Sequence, residues 1–304
     1  MTDLIGLDWG TSSLRAYLMD GDGQVRDTRS RPWGIRHLPD GGFDAALRDI
    51  VADWPEAPRL AAGMVGSRNG WREVPYLDLP TGAEAIATAL SELHTADGGV
   101  VHLVPGLRNP RGPDVMRGEE TQILGAIALR PALAARSTLL LPGTHSKWVS
   151  VRNGVVFDFM TMMTGELFAV LRNHSILGAG LPAEAGTVTD SDAFRRGVRT
   201  ARDTGAAGVT TRLFSARSLM LDGQLDPAAV PDYLSGLLIG EELRAALAVG
   251  RMDASLPIQP IGDEALCARY RYAATEFDLT LSPTIHDASA QGLWRIAAAA
   301  GQLS

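Results

Sequence analysis

One cysteine, Cys267, stands in the 304-residue chain. That excludes an intramolecular disulfide, fits a reducing compartment, and leaves a buried, inert thiol as its simplest role. Long hydrophobic runs are missing too, since none approaches the ~20 residues of a membrane span. Positive charge is scarce: the formal net charge is −7, which argues against a nucleic-acid binder with its basic face. The six histidines are too scattered for a zinc site. No charged-then-apolar leader opens the chain. The expectation is a cytoplasmic protein with neither nucleic acid nor membrane as partner, its assembly into homo-oligomers left open. Two phosphate-binding designs are absent as well. There is no Walker-type Gly-x-x-x-x-Gly-Lys-Ser/Thr and no Gly-x-Gly-x-x-Gly that opens a helix after a strand.

What is present is a globular composition, 45% hydrophobic and 21% charged. Apolar runs predict strands over 3–9, 14–19, 24–31, 59–64 and 100–105, with helices over 43–54, 83–94 and 118–129. The pattern then restarts. Strands are expected over 138–141, 147–151, 155–160, 257–261 and 277–281, and helices over 165–173, 233–249, 264–275 and 288–300. Residues 180–232 read as helices and polar loops. An order β-β-β-α-β-α that appears once fully and once partly predicts an α/β protein of two similar halves. The expected boundaries are 1–134 with a closing helix in 286–304, and 135–285.

The restart carries a repeated turn. Leu4-Ile5-Gly6-Leu7-Asp8-Trp9 runs into Gly10-Thr11-Ser12-Ser13, and Leu139-Leu140-Leu141-Pro142 runs into Gly143-Thr144-His145-Ser146-Lys147. Asp22-Gly23 falls in the first hairpin where Asn153-Gly154 falls in the second. Glycine at a strand corner lets a phosphate approach backbone N–H groups, and hydroxyls add donors. Asp8 is placed to hold Mg²⁺ directly or through water, and Lys147 to neutralise phosphate charge. Either turn alone reads equally well as an ordinary hairpin.

Met116-Arg117-Gly118-Glu119-Glu120 opens a helix, where free N–H groups keep a carboxylate ionised and ready to take a proton from an attacking hydroxyl. Spacing does not separate Glu119 from Glu120; we lean to Glu119. Arg117 is suited either to a substrate carboxylate or to pairing with these acids. Two loops offer polar groups to an acceptor: Gly66-Ser67-Arg68 with Trp71, at a strand end where α/β folds bind ligands, and Thr164-Gly165-Glu166 at a strand-to-helix junction.

Together these segments resemble the 2-dehydro-3-deoxygalactonokinase family of the actin-like ATPase and sugar kinase superfamily. The resemblance rests on Asp8-Trp9-Gly10-Thr11-Ser12, Ala62-Gly63-Met64-Val65-Gly66-Ser67, Arg117-Gly118-Glu119-Glu120-Thr121-Gln122, Pro142-Gly143-Thr144-His145-Ser146-Lys147-Trp148, Thr164-Gly165-Glu166 and Leu234-Ser235-Gly236-Leu237-Leu238-Ile239-Gly240. It implies two ribonuclease H-like domains, with an interdomain cleft in which two hairpins clamp the phosphates of ATP. It also implies Mg²⁺ and phosphorylation of 2-dehydro-3-deoxy-D-galactonate on its 6-hydroxyl, the alternatives being a same-fold kinase of a gluconate-derived acid or a non-catalytic ATP-binding regulator. The adenosine turn of the superfamily often pairs two glycines, whereas Gly262 here precedes Asp263-Glu264. Adenine contacts are therefore sought at Gly262 or at Gly236 and Gly240.

Overall fold

A computed structural model describes residues 3–182, 191–250 and 255–303. In chain order it opens with β1 (Leu4–Trp9), β2 (Leu14–Met19), β3 (Val25–Arg31), α1 (Gly42–Ile50), β4 (Arg59–Ala62), β5 (Leu77–Asp78), α2 (Ala83–Thr88), β6 (Ser91–His94), β7 (Val100–Leu103), β8 (Leu107–Asn109), β9 (Asp114–Met116) and α3 (Glu119–Leu129). It continues through β10 (Arg136–Leu141), β11 (Ser146–Arg152), β12 (Val155–Met162), α4 (Thr164–His174), α5 (Ser191–Arg202), α6 (Ser215–Leu221), α7 (Val230–Ala248), β13 (Ile258–Pro260), α8 (Glu264–Thr275) and α9 (Ala288–Ala299). Two compact units result. The first is Met1–Arg136 with Val151–Phe159 and Ile285–Ser304; the second is Ser137–Ser150 with Met160–Thr284.

The two larger sheets share one plan. The first has the order β3-β2-β1-β4-β7-β6 and the second β12-β11-β10-β13, so that third, second, first and fourth strands lie side by side in both. In both, the first and fourth strands run parallel, as β1–β4 and β10–β13 do. This is the mixed α/β architecture of the actin-like ATPases. Strand sequences follow their places. β1, paired on both edges, is almost wholly buried, while β3 (Val-Arg-Asp-Thr-Arg-Ser-Arg) forms the exposed edge. An edge of charged residues discourages pairing with other chains.

In the first unit α3 and α9 cross at glycines. A Cβ on Gly125 would fall 1.8 Å from the Ala288 carbonyl oxygen, and one on Gly292 would fall 1.8 Å from that of Thr121. Only glycine permits backbones to approach so closely. The helix that starts with the two acids is thereby fixed against the helix that follows residue 287.

Three expectations need correction. The helix over 83–94 stops at Thr88, and Ser91–His94 is strand β6, antiparallel to β7. Its alternating burial gives it one inward side chain, Leu93, which suits a strand at a sheet edge. The strand over 277–281 reduces to a single bridge between Ile258 and Leu281. The small sheet β5-β8-β9 has no counterpart in the sequence reading, because strands of two or three residues carry no periodicity. Residues 151–159, expected in the second half, belong to the first unit. There Thr81 and Val156 exchange backbone hydrogen bonds of 3.1 and 2.9 Å, and Asn109 Nδ2 donates to Asp158 at 2.6 Å and to the Phe159 carbonyl at 2.9 Å. Residues 183–190, read as part of the helix-and-loop section, lie outside the described residues.

Candidate active site

The first unit presents its glycine turn between β1 and β2. The Gly10 N–H donates to the Ser13 carbonyl at 2.9 Å, closing the turn. Behind it, Ile35 and Arg36 donate backbone N–H groups to the carbonyls of Gly10 and Thr11 at 3.1 and 3.3 Å. Gly34 lies flat against this backbone, where a Cβ would fall 2.2 Å from Ser12 N. So braced, the turn keeps Ser12 and Ser13 exposed. Asp8 sits two residues earlier on β1, and its Oδ2 accepts a 2.9 Å hydrogen bond from the Ser289 hydroxyl of α9. Burial pushes the Asp8 carboxyl above its ordinary value, with Ser289 and Arg15 acting in opposition.

The start of α3 separates the two acids that spacing left together. Glu119 is partly exposed, and its Oε2 accepts the Arg117 backbone N–H at 3.0 Å. Glu120 is fully buried, with both oxygens accepting the Gly118 N–H at 2.9 and 2.7 Å. Burial first, and the charge of Glu119 second, push the Glu120 carboxyl up to about 8. A base must touch the group it deprotonates, and of the two only Glu119 offers surface to a substrate.

Around them the acceptor-loop residues divide. Gly66 ends a short 3-10 turn over Met64–Gly66 and is buried; Ser67 is half-buried and Arg68 exposed. Arg117 is only 8% exposed, lies 4.3 Å over the Tyr76 ring and donates from Nη2 to the Val74 carbonyl at 2.7 Å. Its Nε and Nη1 are buried without a hydrogen-bond partner. Gly66 makes room for it, since a Cβ there would fall 3.0 Å from Nη1. Trp71 is committed to packing: its ring stacks on Phe43 at 5.3 Å and meets Trp9 edge-on at 5.8 Å, in the core of this unit.

In the second unit the turn at 143–146 is fastened to the start of α4. Glu166 donates its N–H to the Thr144 carbonyl at 3.0 Å, and the Glu166 carboxylate meets His145 Nε2. A Cβ on Gly165 would fall 2.5 Å from the Gly143 carbonyl oxygen. Residues predicted for cofactor (Gly143, Thr144, His145) and for substrate (Thr164, Glu166) are thus one local assembly. Lys147 is the chain's only lysine and is 4% exposed. Strand alternation puts it on the opposite face of β11 from Ser146 and Trp148.

A cavity of about 420 Å³ opens beside this assembly, a size suited to a small ligand. Gly143, Thr144, Thr164 and Gly165 line one side, and Arg172, Asp232, Arg269 and Tyr270 reach it from α4, α7 and α8. Arg269 Nη2 donates to Asp232 at 2.7 Å, with its guanidinium 4.4 Å above Phe194. Gly236 and Gly240 do not line the cavity. A Cβ on either would strike α5, 2.1 Å from the Phe194 carbonyl oxygen or 2.9 Å from that of Val198, so their small size serves helix packing. Gly262 has a φ of +134°, a backbone need, and Asp263 after it caps α8 by accepting the Leu266 N–H at 2.9 Å. Sequence reading missed Ser289, Arg172, Asp232, Arg269 and Tyr270. Asp232 and Arg172 lie only a few residues from quoted motifs, yet nothing in the sequence pattern marks any of the five as facing a ligand.

The glycines of the two turns differ from all these. Gly10 and Gly143 have no positive φ, and a Cβ on Gly10 would meet nothing closer than 3.6 Å, on Gly143 nothing within 4 Å. Neither backbone geometry nor packing requires glycine there.

Comparison with known proteins agrees with this picture. Residues 8–296 match the family model described as 2-keto-3-deoxy-galactonokinase. The 2-dehydro-3-deoxygalactonokinase of Escherichia coli (strain K12) is 40% identical over 79% of this chain and 78% of its own length. A crystal structure from Sinorhizobium meliloti, described as a 2-dehydro-3-deoxygalactonokinase protein, superposes with a TM-score of 0.84 at 34% identity, covering 98% of each chain. At fold level alone, the ADPNP-bound activator of the 2-hydroxyisocaproyl-CoA dehydratase from Clostridium difficile superposes with a TM-score of 0.51 at 12% identity, over 99% of this chain and 94% of its own. The chain therefore belongs to the 2-keto-3-deoxy-galactonokinase family and is a kinase.

Proposed function

We propose that this kinase transfers the γ-phosphoryl group of ATP to the 6-hydroxyl of 2-dehydro-3-deoxy-D-galactonate, the sugar acid in the name of its Escherichia coli relative, and that it works in the cytoplasm. The observation that carries the phosphate part of the reading is the open space at Gly10 and Gly143, which a methyl group would occupy and the fold itself leaves unused. In this reading the cavity of the second unit takes the nucleotide, with the 143–146 turn and the start of α4 at its phosphates. In the first unit, the 10–13 turn offers the exposed hydroxyls of Ser12 and Ser13 to phosphate oxygens.

Glu119 takes the proton of the attacking hydroxyl as the hydroxyl oxygen bonds to the γ-phosphorus and the bond from that phosphorus to the bridging oxygen breaks, releasing ADP. Arg117, Ser67 and Arg68 lie on the acceptor's side, where donors suit a polyhydroxy acid. Asp8 would hold Mg²⁺, directly or through water. A single carboxylate fits an ion that otherwise prefers phosphate oxygens and water, and when bound it would neutralise phosphate charge. Positioning and electrostatics supply most of the rate in phosphoryl transfer.

ADP release measured with ATP and a panel of 2-keto-3-deoxy sugar acids tests the reading. A site that hydrogen-bonds one hydroxyl rejects its epimer strongly, so turnover should be concentrated on the galactonate-derived acid. Turnover confined to the gluconate-derived epimer, or ATP binding without turnover on any acid, overturns it.

A further inference from the structure

Glu242 belongs to no motif, and the expected site residues it touches are Thr164 and Ser146. It lies on α7, 2% exposed, in the interior of the second unit. Its Oε1 accepts the Trp148 indole N–H at 2.8 Å. Its Oε2 accepts two hydroxyls, that of Tyr270 at 2.7 Å and that of Thr164. Tyr270 is also 3.0 Å from the Ser146 hydroxyl. One carboxylate thus joins β11, the start of α4, α7 and α8.

Two of these partners, Thr164 and Tyr270, line the cavity. A hydroxyl has one proton to give. With that proton directed to Glu242, each presents only oxygen lone pairs elsewhere. Ser146 hydrogen-bonds Glu242 and lies beside the Tyr270 hydroxyl, so it too belongs to this network. Where Thr164 and Tyr270 form a wall of the cavity, their hydroxyl oxygens can accept hydrogen bonds but have no proton left to donate. Phosphate oxygens, which are acceptors only, gain nothing from them; hydroxyls and amines do. Donors for phosphate stand elsewhere, at the backbone of the 143–146 turn and at Arg172 and Arg269.

We propose that Glu242 is a positioning residue that sets the polarity of this wall, so that Thr164 and Tyr270 receive the hydroxyl or amine groups of the nucleoside and leave the phosphates to the glycine turn. The inference rests on the reading that the cavity holds the nucleotide. It makes an unusual demand on the amide variant. Trp148 can only donate, so in Glu242→Gln the amide oxygen must face Trp148 and the amide NH₂ must face Thr164 and Tyr270. Both hydroxyls then accept inward and turn their protons into the cavity. The substitution reverses the wall without changing its shape.

Calorimetric titration of the full chain with adenosine and, separately, with inorganic tripolyphosphate tests this. Glu242→Gln should weaken adenosine binding about five- to tenfold, the scale of a lost hydrogen bond or two, and leave tripolyphosphate binding within about twofold. Thr164→Val, which removes one acceptor and leaves the carboxylate in place, should reproduce part of the adenosine loss if Glu242→Gln does not fold. Unchanged adenosine affinity in both variants, or a loss on tripolyphosphate equal to or larger than that on adenosine, overturns the proposal. Ser235→Trp, which fills the cavity, checks the reading beneath it: ATP binding that survives this substitution removes the nucleotide from the cavity and overturns both.

Discussion

The two units repeat a strand order and a glycine turn but not a chemistry. In the first, the turn is braced from behind by 34–36, and the nearby carboxylates differ in exposure: Glu119 open, Glu120 sealed. In the second, the turn is fastened from the side by α4, and a sealed carboxylate, Glu242, is answered by indole and hydroxyl donors. The first unit keeps one acid, Glu119, open to solvent. The second keeps Glu242 hidden and bonded to the Thr164 and Tyr270 hydroxyls. Duplicated folds commonly host separate duties in this way, because function resides in side chains added to the scaffold.

The largest expected effect tests that division directly. Glu119→Gln should lower kcat by about a hundredfold or more, within the range for loss of a general base, with KM for ATP little changed. Glu120→Gln should cost far less. Equal losses from the two variants would erase the distinction between open and sealed acid in steady-state kinetics.

Next come the braces. Gly34→Ala in the first unit and Gly165→Ala in the second each put a methyl group within 2.5 Å of turn backbone. Overpacking of this kind costs about 1–3 kcal/mol, which thermal melting would read as a Tm loss of about 2–4 °C per kcal/mol. A variant that melts like the parent would show that its turn is not held by the glycine contact.

A smaller effect follows from Glu120. Its carboxyl keeps a proton up to about pH 8 in the folded chain, while the unfolded chain releases it near the ordinary glutamate value of 4.5. The folded state then binds more protons, so this group's contribution makes stability fall as pH rises from about 4.5 to 8. Glu120→Gln should remove that slope, and the Tm advantage of the variant over the parent should widen across the window. A constant difference would place the ordinary carboxyl value in the folded state.

The smallest effect on stability belongs to Gly10→Ala and Gly143→Ala, each expected to leave Tm within about 1 °C, as substitutions away from packing do. Both should raise KM for ATP. A variant that keeps KM would detach that turn from the phosphates.

Much of the scaffold was legible because long periodic segments report their own structure. The strands 4–9 and 14–19 and the helix 264–275 needed no tertiary information. Ser91–His94 did, since a short edge strand following a helix gives no break in composition; its identity comes from pairing with β7. The same limit applied to the site. Gly10, Gly143, Thr164 and Glu119 stood in readable turns and helix starts. Glu120 and Glu119 were indistinguishable until burial separated them. Gly236 and Gly240 looked like nucleotide contacts, yet glycine in a helix also marks a close neighbour, and here that neighbour is α5. Ser289 and Glu242 act across 281 and 78 residues, on Asp8 and Thr164, and such partnerships are invisible in one sequence.

The hydrogen bond from Ser289 to Asp8 also has a meaning in time. During synthesis the ribosome makes β1 early, and α9 only after the whole of the second unit has been translated. Asp8 therefore waits, without its α9 partner, while some 280 residues emerge. The inserted unit can complete its own core first, whereas the first unit closes its longest loop only afterwards. Nascent chains truncated before 285 should consequently protect the second unit from protease before the first, an order set by topology more than by the stability of either unit.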